Sequence, residues 1–326
     1  METYLRPMGL GEILDRTAQL YRTHFLLFAG IFAAYAGISL LLSVAGLGLK
    51  LVLAGNSLMT VTLVMRVLQA AALLLLVAAP IAAISRAVAT AHLGEKVTIR
   101  GAYASTLPKF WRYLWLMTIM FFIAWLPFIL LYAAFFGVLA AFKVFQAGGG
   151  HTNPEGTMVV GIAGLVFLLL FFPVMIYTVW MSLRYSLGVP AAVVEDLTAW
   201  KAIKRSVELS KGARGRIFLL LLLVGVIKFA TVALTQSFVF VSAFHHRQLS
   251  VGLTALSQVI GFFTNSFLGP IGATGVTLFY FDQRVRKEGY DIEWMMQAAG
   301  LGQGAVPAQA GDETALPGPL QPGERA

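Results

Sequence analysis

The chain has 326 residues, 58% of them hydrophobic and 12% charged, with a mean hydropathy of +0.79 and a formal net charge of +9. That composition excludes an ordinary soluble globular domain and leaves room for roughly six membrane crossings of about 20 apolar residues each. Cysteine is absent, which excludes disulfides, thiolate nucleophiles and cysteine-ligated metals.

In chain order, residues 1–24 form an N-terminal segment that carries Arg6, Arg16 and Arg22 together with Glu2, Glu12 and Asp15. Acidic residues and the lack of a small-residue cleavage site argue against a secretory leader. Leu10 to Phe25 reads as a short amphipathic helix, with Glu12, Arg16 and Gln19 on one face and Ile13, Leu14, Ala18 and Tyr21 on others. Apolar runs long enough to span a bilayer follow at about 25–49, 67–89, 113–141, 157–183, 217–242 and 251–281. The predicted fold class is therefore all-α, a polytopic bundle of about six transmembrane helices occupying residues 25–297. Surface helices are expected near 98–112, 196–212 and 284–297. The tail, 298–326, is rich in Gly, Pro, Ala and Gln and is expected to be disordered.

The loops alternate in charge, and 19 of the 24 basic residues fall in alternate segments: the N-terminus, the 86–112 loop, the 184–216 loop and the stretch after the last run. The positive-inside rule places these on the cytoplasmic side, with both termini there and outer loops near Asn56, His151 and His246. Short basic juxtamembrane loops facing anionic lipid account for the net charge, so no nucleic-acid partner is expected.

The longest polar interlude, Pro190 to Arg216, places Lys201, Lys204, Arg205, Glu208 and Lys211 on one helical face and Trp200, Ile203 and Val207 on the adjoining one. This predicts a helix lying on the membrane surface, its cations on anionic headgroups. Glu195 and Asp196 at its start read as helix N-terminal charges and caps. Arg284, Arg286 and Lys287 complete the expected lipid-surface contacts, with Lys201, Lys204, Arg205 and Lys211. The segments Leu10–Phe25, Thr98–Arg112 and Thr198–Arg216 each precede a pair of runs, a coarse threefold pattern; the alternative is that any basic loop before a crossing looks similar.

Within the runs, Pro80, Pro127, Pro173 and Pro270 favour kinks. The sixth run is the most interrupted, GFFTNSFLGPIGATG, which reads either as irregular backbone lining a cavity or as a close helix–helix contact through small residues. Lys228 lies near mid-depth of the fifth run with Thr231 and Thr235 on its face, and no acidic residue occurs in any run. Lys228, Thr231, Thr235, Asn265 and Ser266 are therefore the candidate pocket for an anion or lipid headgroup, the alternative being a lysine that snorkels to an interface. Arg66 is expected at the outer interface. No catalytic, cofactor-binding or metal-ligating pattern is present. The five histidines lack metal spacing, and there is no phosphate-binding glycine loop or nucleophile elbow.

Three stretches, LRPMGLGEILDRTAQLYRTHF, VPAAVVEDLTAWKAIKRSVELSKG and YFDQRVRKEGYDIEWM, resemble the bacterial glycerophosphoryl diester phosphodiesterase membrane-domain family and its stand-alone relatives, up to about Gln297. In two-part members of that family the hydrolysis belongs to a separate soluble barrel, for which this chain has no room. The resemblance thus implies a protein of the bacterial cytoplasmic membrane without that activity. The expected roles are a membrane scaffold, accessory subunit or lipid-interacting module, with membrane lipids as partners and no cofactor; the alternative is a transporter or permease-like protein for an anionic or lipid substrate.

Overall fold

The computed structural model describes residues 6–52, 58–92, 96–147, 154–244, 250–290 and 292. The expected outer loops at Asn56, His151 and His246 lie outside the described residues, as do the side chain of Arg66 and the tail 298–326. Among the described residues the chain is all helix, without a strand: α1 Leu10–Thr23, α2 Phe25–Val52, α3 Leu58–Leu76, α4 Ala78–His92, α5 Ile99–Thr106, α6 Phe110–Ala147, α7 Pro154–Tyr185, α8 Gly188–Val194, α9 Ala199–Ser210, α10 Arg214–Thr235, α11 Ser237–Phe244 and α12 Val251–Glu288. Six stretches are long and apolar enough to cross a membrane: Phe25–Leu49, Val67–His92, Ile99–Lys143, Gly156–Val194, Arg214–Thr235 and Val251–Glu288. The protein is an all-α, multi-pass membrane bundle.

Element order repeats three times as a short helix followed by two crossings, and the short helices pack in rotation. Helix α1 rests on α12, α5 on α4, and α9 on α7 and α8, so each covers the end of the crossing pair that precedes it around the ring. Capping fixes where two helices begin. The Thr98 hydroxyl accepts from the Gly101 amide at 3.1 Å to open α5, and Ser250 accepts from Leu253 at 3.3 Å to open α12. Gly289, at φ 65°, ends α12 in the left-handed conformation that side chains disfavour.

The 38-residue α12 is the hub, packed against α2, α4, α1, α10, α9 and α8. The most interrupted-looking run is therefore one continuous helix through Pro270, and the close-contact reading of its small residues holds. A Cβ at Gly269 would collide with the Phe32 ring of α2, and Gly275 faces Leu220 and Thr17. In the turn before Pro270 the Phe267 carbonyl accepts from the Tyr21 hydroxyl, tying α1 to α12; burial pushes the Tyr21 pKa up to about 12, keeping its proton in place. Likewise the Ile123 carbonyl, which Pro127 deprives of an amide, accepts from the Tyr177 hydroxyl at 3.2 Å. The breaks fall at Val77 between α3 and α4, where Pro80 deprives the Leu76 carbonyl of its amide, and at Gln236 between α10 and α11. At the second, the Gln236 side-chain Nε2 donates to the Ser257 carbonyl at 3.0 Å.

Burial is concentrated at one end. The buried residues of α12 run from Ser266 to Val285, those of α10 are Ile217, Leu220 and Val224, and α2 is buried at Phe28 to Ala36. Helices α6 and α7 form a hairpin zipped by Phe128 on Phe171 (6.0 Å), Tyr132 on Phe167 (5.2 Å) and Phe135 on Phe167 (4.5 Å). Leu165, Leu168, Leu169 and Phe172 of this hairpin stay exposed, as acyl-chain contact permits.

Candidate functional site at the charged end

All the basic segments that alternate in the sequence meet at the tightly packed end, and three acidic anchors hold them. The first is Asp282, fully buried on α12. It accepts from the Met8 amide at 2.7 Å, from Arg286 Nε at 2.9 Å and from Gln283 at 3.0 Å, and Arg216 at the start of α10 lies 3.2 Å away. Both arginines also donate to the Met8 carbonyl, at 2.8 and 2.6 Å. The segment before α1 is thus clamped between α10 and α12 by a buried carboxylate with its charge matched and its oxygens bonded, the condition under which burial is tolerated.

Glu195, at the end of α8, is the second anchor. It accepts from Arg205 Nε at 3.0 Å and from the Tyr280 hydroxyl at 2.6 Å, with Arg284 Nε 3.8 Å away. Arg205 continues to Glu288 at 2.6 Å, and Arg284 bonds Glu288 at 3.2 Å while its guanidinium stacks 4.0 Å over Tyr290. Asp196, the third, sits at φ 53° and takes Lys109 at 2.6 Å and Arg112. Hydrogen bonds from Lys109 and Arg112 hold its carboxyl down at about 2. Beside it lies a cavity of about 190 Å³ lined by Arg86, Ser105, Thr106, Lys109, Tyr113 and Asp196 with two valines. Glu195 and Asp196 therefore do not cap α9. That helix opens at Thr198, and both carboxylates turn away to cations on α6, α9 and α12, because the left-handed turn at Asp196 redirects the chain before the helix starts.

The seven expected lipid-surface cations divide in two. Lys201, Lys204 and Lys211 are exposed, beside Trp200 at 60% exposure. Arg205, Arg284 and Arg286 are tied into the anchors just described. Lys287 donates to the carbonyls of Glu208 (2.7 Å), Leu209 (3.0 Å) and Lys211 (2.7 Å), closing the C-terminal end of α9 where the helix dipole favours a cation. The opposite face of α9, with Ala202, Ile203, Ser206 and Leu209, is buried against protein, and Ser206 bonds the Arg184 carbonyl at 3.0 Å. Residues 284–288 belong to α12 and not to a separate surface helix; 291 and 293–297 lie outside the described residues.

The five pocket candidates are not gathered into one cluster. Lys228 turns toward α12, where a Cβ at Gly272 would lie 3.9 Å from its amine, and among the described residues no carboxylate pairs with it. Thr231 and Thr235 bond carbonyls of their own helix at 2.9 and 2.7 Å. Asn265 is exposed and bonds Gly261 at 2.9 Å, whereas Ser266 is buried with its hydroxyl unpartnered. Both stand six or seven residues before Gly272, about 9 Å along the helix.

Asp282 was the residue missed in the sequence, because it stands immediately after the sixth apolar run and looks like a flanking charge. Its signal was Arg286 at i+4 and the helix running on past it. Among the described residues no three of His, Asp or Glu group as a metal site would require. No family model matches the sequence, and no curated protein or solved structure matches it.

Proposed function

We propose that this chain is a non-catalytic membrane scaffold, accessory subunit or lipid-interacting module of the bacterial cytoplasmic membrane, with both termini cytoplasmic and its charged end against anionic headgroups. The observation that carries the reading is the division of charge at that end. Glu195, Asp196, Asp282 and Glu288 are each bonded to basic side chains, so these carboxylates serve to lock loops together and are poorly placed to shuttle protons. Directed outward from α9 are Trp200 with Lys201, Lys204 and Lys211, an amphipathic, interface-seeking set on a rigid base. The resemblance to the glycerophosphoryl diester phosphodiesterase membrane-domain family supports this role.

The test uses the full chain in vesicles containing a photoactivatable anionic lipid. Replacing Lys201, Lys204 and Lys211 by Gln is expected to weaken that contact by about 1 kcal/mol per charge. Unchanged cross-linking would remove the headgroup role.

A second reading, transport of an anionic or lipid substrate, is favoured by the Lys228 amine facing α12 instead of lipid. Lys228→Met, folded and inserted, would abolish uptake into proteoliposomes under that reading and leave lipid cross-linking intact under the first.

A further inference from the structure

The cavity beside Asp196 has a volume of about 190 Å³, below the ~300–1,000 Å³ of sites for drug-sized ligands, so an occupant has only a few heavy atoms. Separate parts of the chain close around it. Arg86 comes from α4, Ser105 and Thr106 from the end of α5, Lys109 from the turn before α6, Tyr113 from α6 and Asp196 from the turn after α8.

The lining carries two cations and one carboxylate, and the carboxylate is already shared. Lys109 and Arg112 both donate to Asp196 Oδ1, which brings a third positive charge to the same wall. The surroundings therefore favour an anion over a metal ion. Arg86 is left over: it is exposed, and among the described residues its side chain has no hydrogen-bond or ion-pair partner. Its planar fork suits two oxygens of a tetrahedral oxyanion side by side, and Lys109 has N–H groups beyond the one given to Asp196. The acceptors set a second condition. Ser105 and Thr106 each donate to the Ala102 carbonyl at 2.9 Å, so their hydroxyl oxygens are left as acceptors. Asp196 uses only Oδ1 for its cations and stays ionised down to about pH 2. An oxyanion stripped of all its protons meets the donors and is repelled by that carboxylate, whereas one that keeps an O–H meets both.

We propose that this cavity binds one protonated phosphate group, with its oxygens on Arg86 and Lys109 and its P–O–H donating to Asp196. A free hydrogen phosphate ion and the monoester headgroup of phosphatidic acid, reaching in from the bilayer, share this chemistry. Sulfate has the same shape but no proton to donate near neutral pH. None of the lining residues belongs to the exposed set Lys201, Lys204 and Lys211 on α9, so this site and the headgroup role given to that set hold or fail separately.

The experiment is calorimetric titration of the full chain in detergent at about pH 5.5, below the second pKa of a phosphate monoester, about 6, and above that of Asp196. Inorganic phosphate is expected to bind one to one and about tenfold more tightly than sulfate. Arg86→Gln is expected to weaken it about tenfold and Arg86→Lys to restore part of the loss. Arg100→Gln, which removes an exposed cation of α5 outside the cavity lining, is expected to change nothing. Asp196→Asn is expected to make phosphate and sulfate equal; if that variant does not fold, Arg86→Gln decides alone, since it breaks no bond in the protein. A second arm measures retention of phosphatidic acid against the diester phosphatidylglycerol by native mass spectrometry from nanodiscs. Phosphate binding shows a free-ion site, and preferential retention of phosphatidic acid without phosphate binding, lost in Arg86→Gln, shows a headgroup site. The proposal is overturned if phosphate binds no better than sulfate and phosphatidic acid no better than phosphatidylglycerol, or if Arg86→Gln behaves as Arg100→Gln in both arms.

Discussion

At the scale of single residues, Asp282 binds three separate parts of the chain through one carboxylate, and its removal leaves cations without a partner. Asp282→Asn keeps the shape and one acceptor oxygen but strands Arg216 and Arg286. Breaking a dry ion pair costs ~3–5 kcal/mol. Here the arginine side chains keep 31% and 37% of their surface open, so water screens part of the loss and about 2–3 kcal/mol is expected. Chemical unfolding in detergent measures it, and a loss under about 1 kcal/mol would show that the clamp is dispensable. Asp196 gives a pH prediction. Its folded pKa is depressed from 3.8 to about 2 by Lys109 and Arg112, so its contribution is fully present above pH 3.8 and is lost as the pH falls toward 2. Hydrogen exchange of the turn from Glu195 to Thr198 should therefore be flat from pH 7 to 4, after correction for the intrinsic rate, and rise below that. In Asp196→Asn it should be fast throughout.

Among the elements, α12 organises the bundle by letting its neighbours come close. Gly269 meets the ring of Phe32, whereas Gly161 on α7 faces open space. Gly269→Ala is expected to cost about 1–3 kcal/mol by forcing α2 and α12 apart, and Gly161→Ala to be neutral or slightly stabilising through helix propensity. Thermal melts of the two variants in one detergent settle the matter: identical melting temperatures would mean that the α2–α12 contact is looser than the structure has it. The six apolar runs were legible to within a few residues, since length and hydropathy are local properties. The interruptions were not. Pro270 with its neighbouring glycines suggested a break, yet α12 runs through it as one helix, while the run 217–242, with no proline, divides at Gln236. Whether the carbonyl that a proline orphans finds a donor depends on tertiary packing: the Ile123 carbonyl freed by Pro127 takes the Tyr177 hydroxyl, 54 residues away in sequence.

For the whole molecule, the clamps join the N-terminal segment to α10 and α12, the 184–216 loop to α6, and α9 to α12, bringing the alternate basic segments to one end of the bundle. If that end is cytoplasmic, as proposed, reporter fusions near Asn56, His151 and His246 should all read as external. A cytoplasmic signal from two of the three would overturn the six-crossing topology. The sequence by itself determined that the protein is a multi-pass membrane protein with six runs long and apolar enough to cross, because apolar transfer adds up residue by residue along the chain. It determined the positions of Lys201, Lys204, Arg205, Lys211, Arg284, Arg286 and Lys287 but not their roles. Only the tertiary structure decided that four of these seven are spent inside the protein on carboxylates and helix carbonyls, and that Lys228 faces α12. A cation's partner is set by which helices touch, and helices touch through packing of small residues and rings far apart in the chain, which no window of sequence contains.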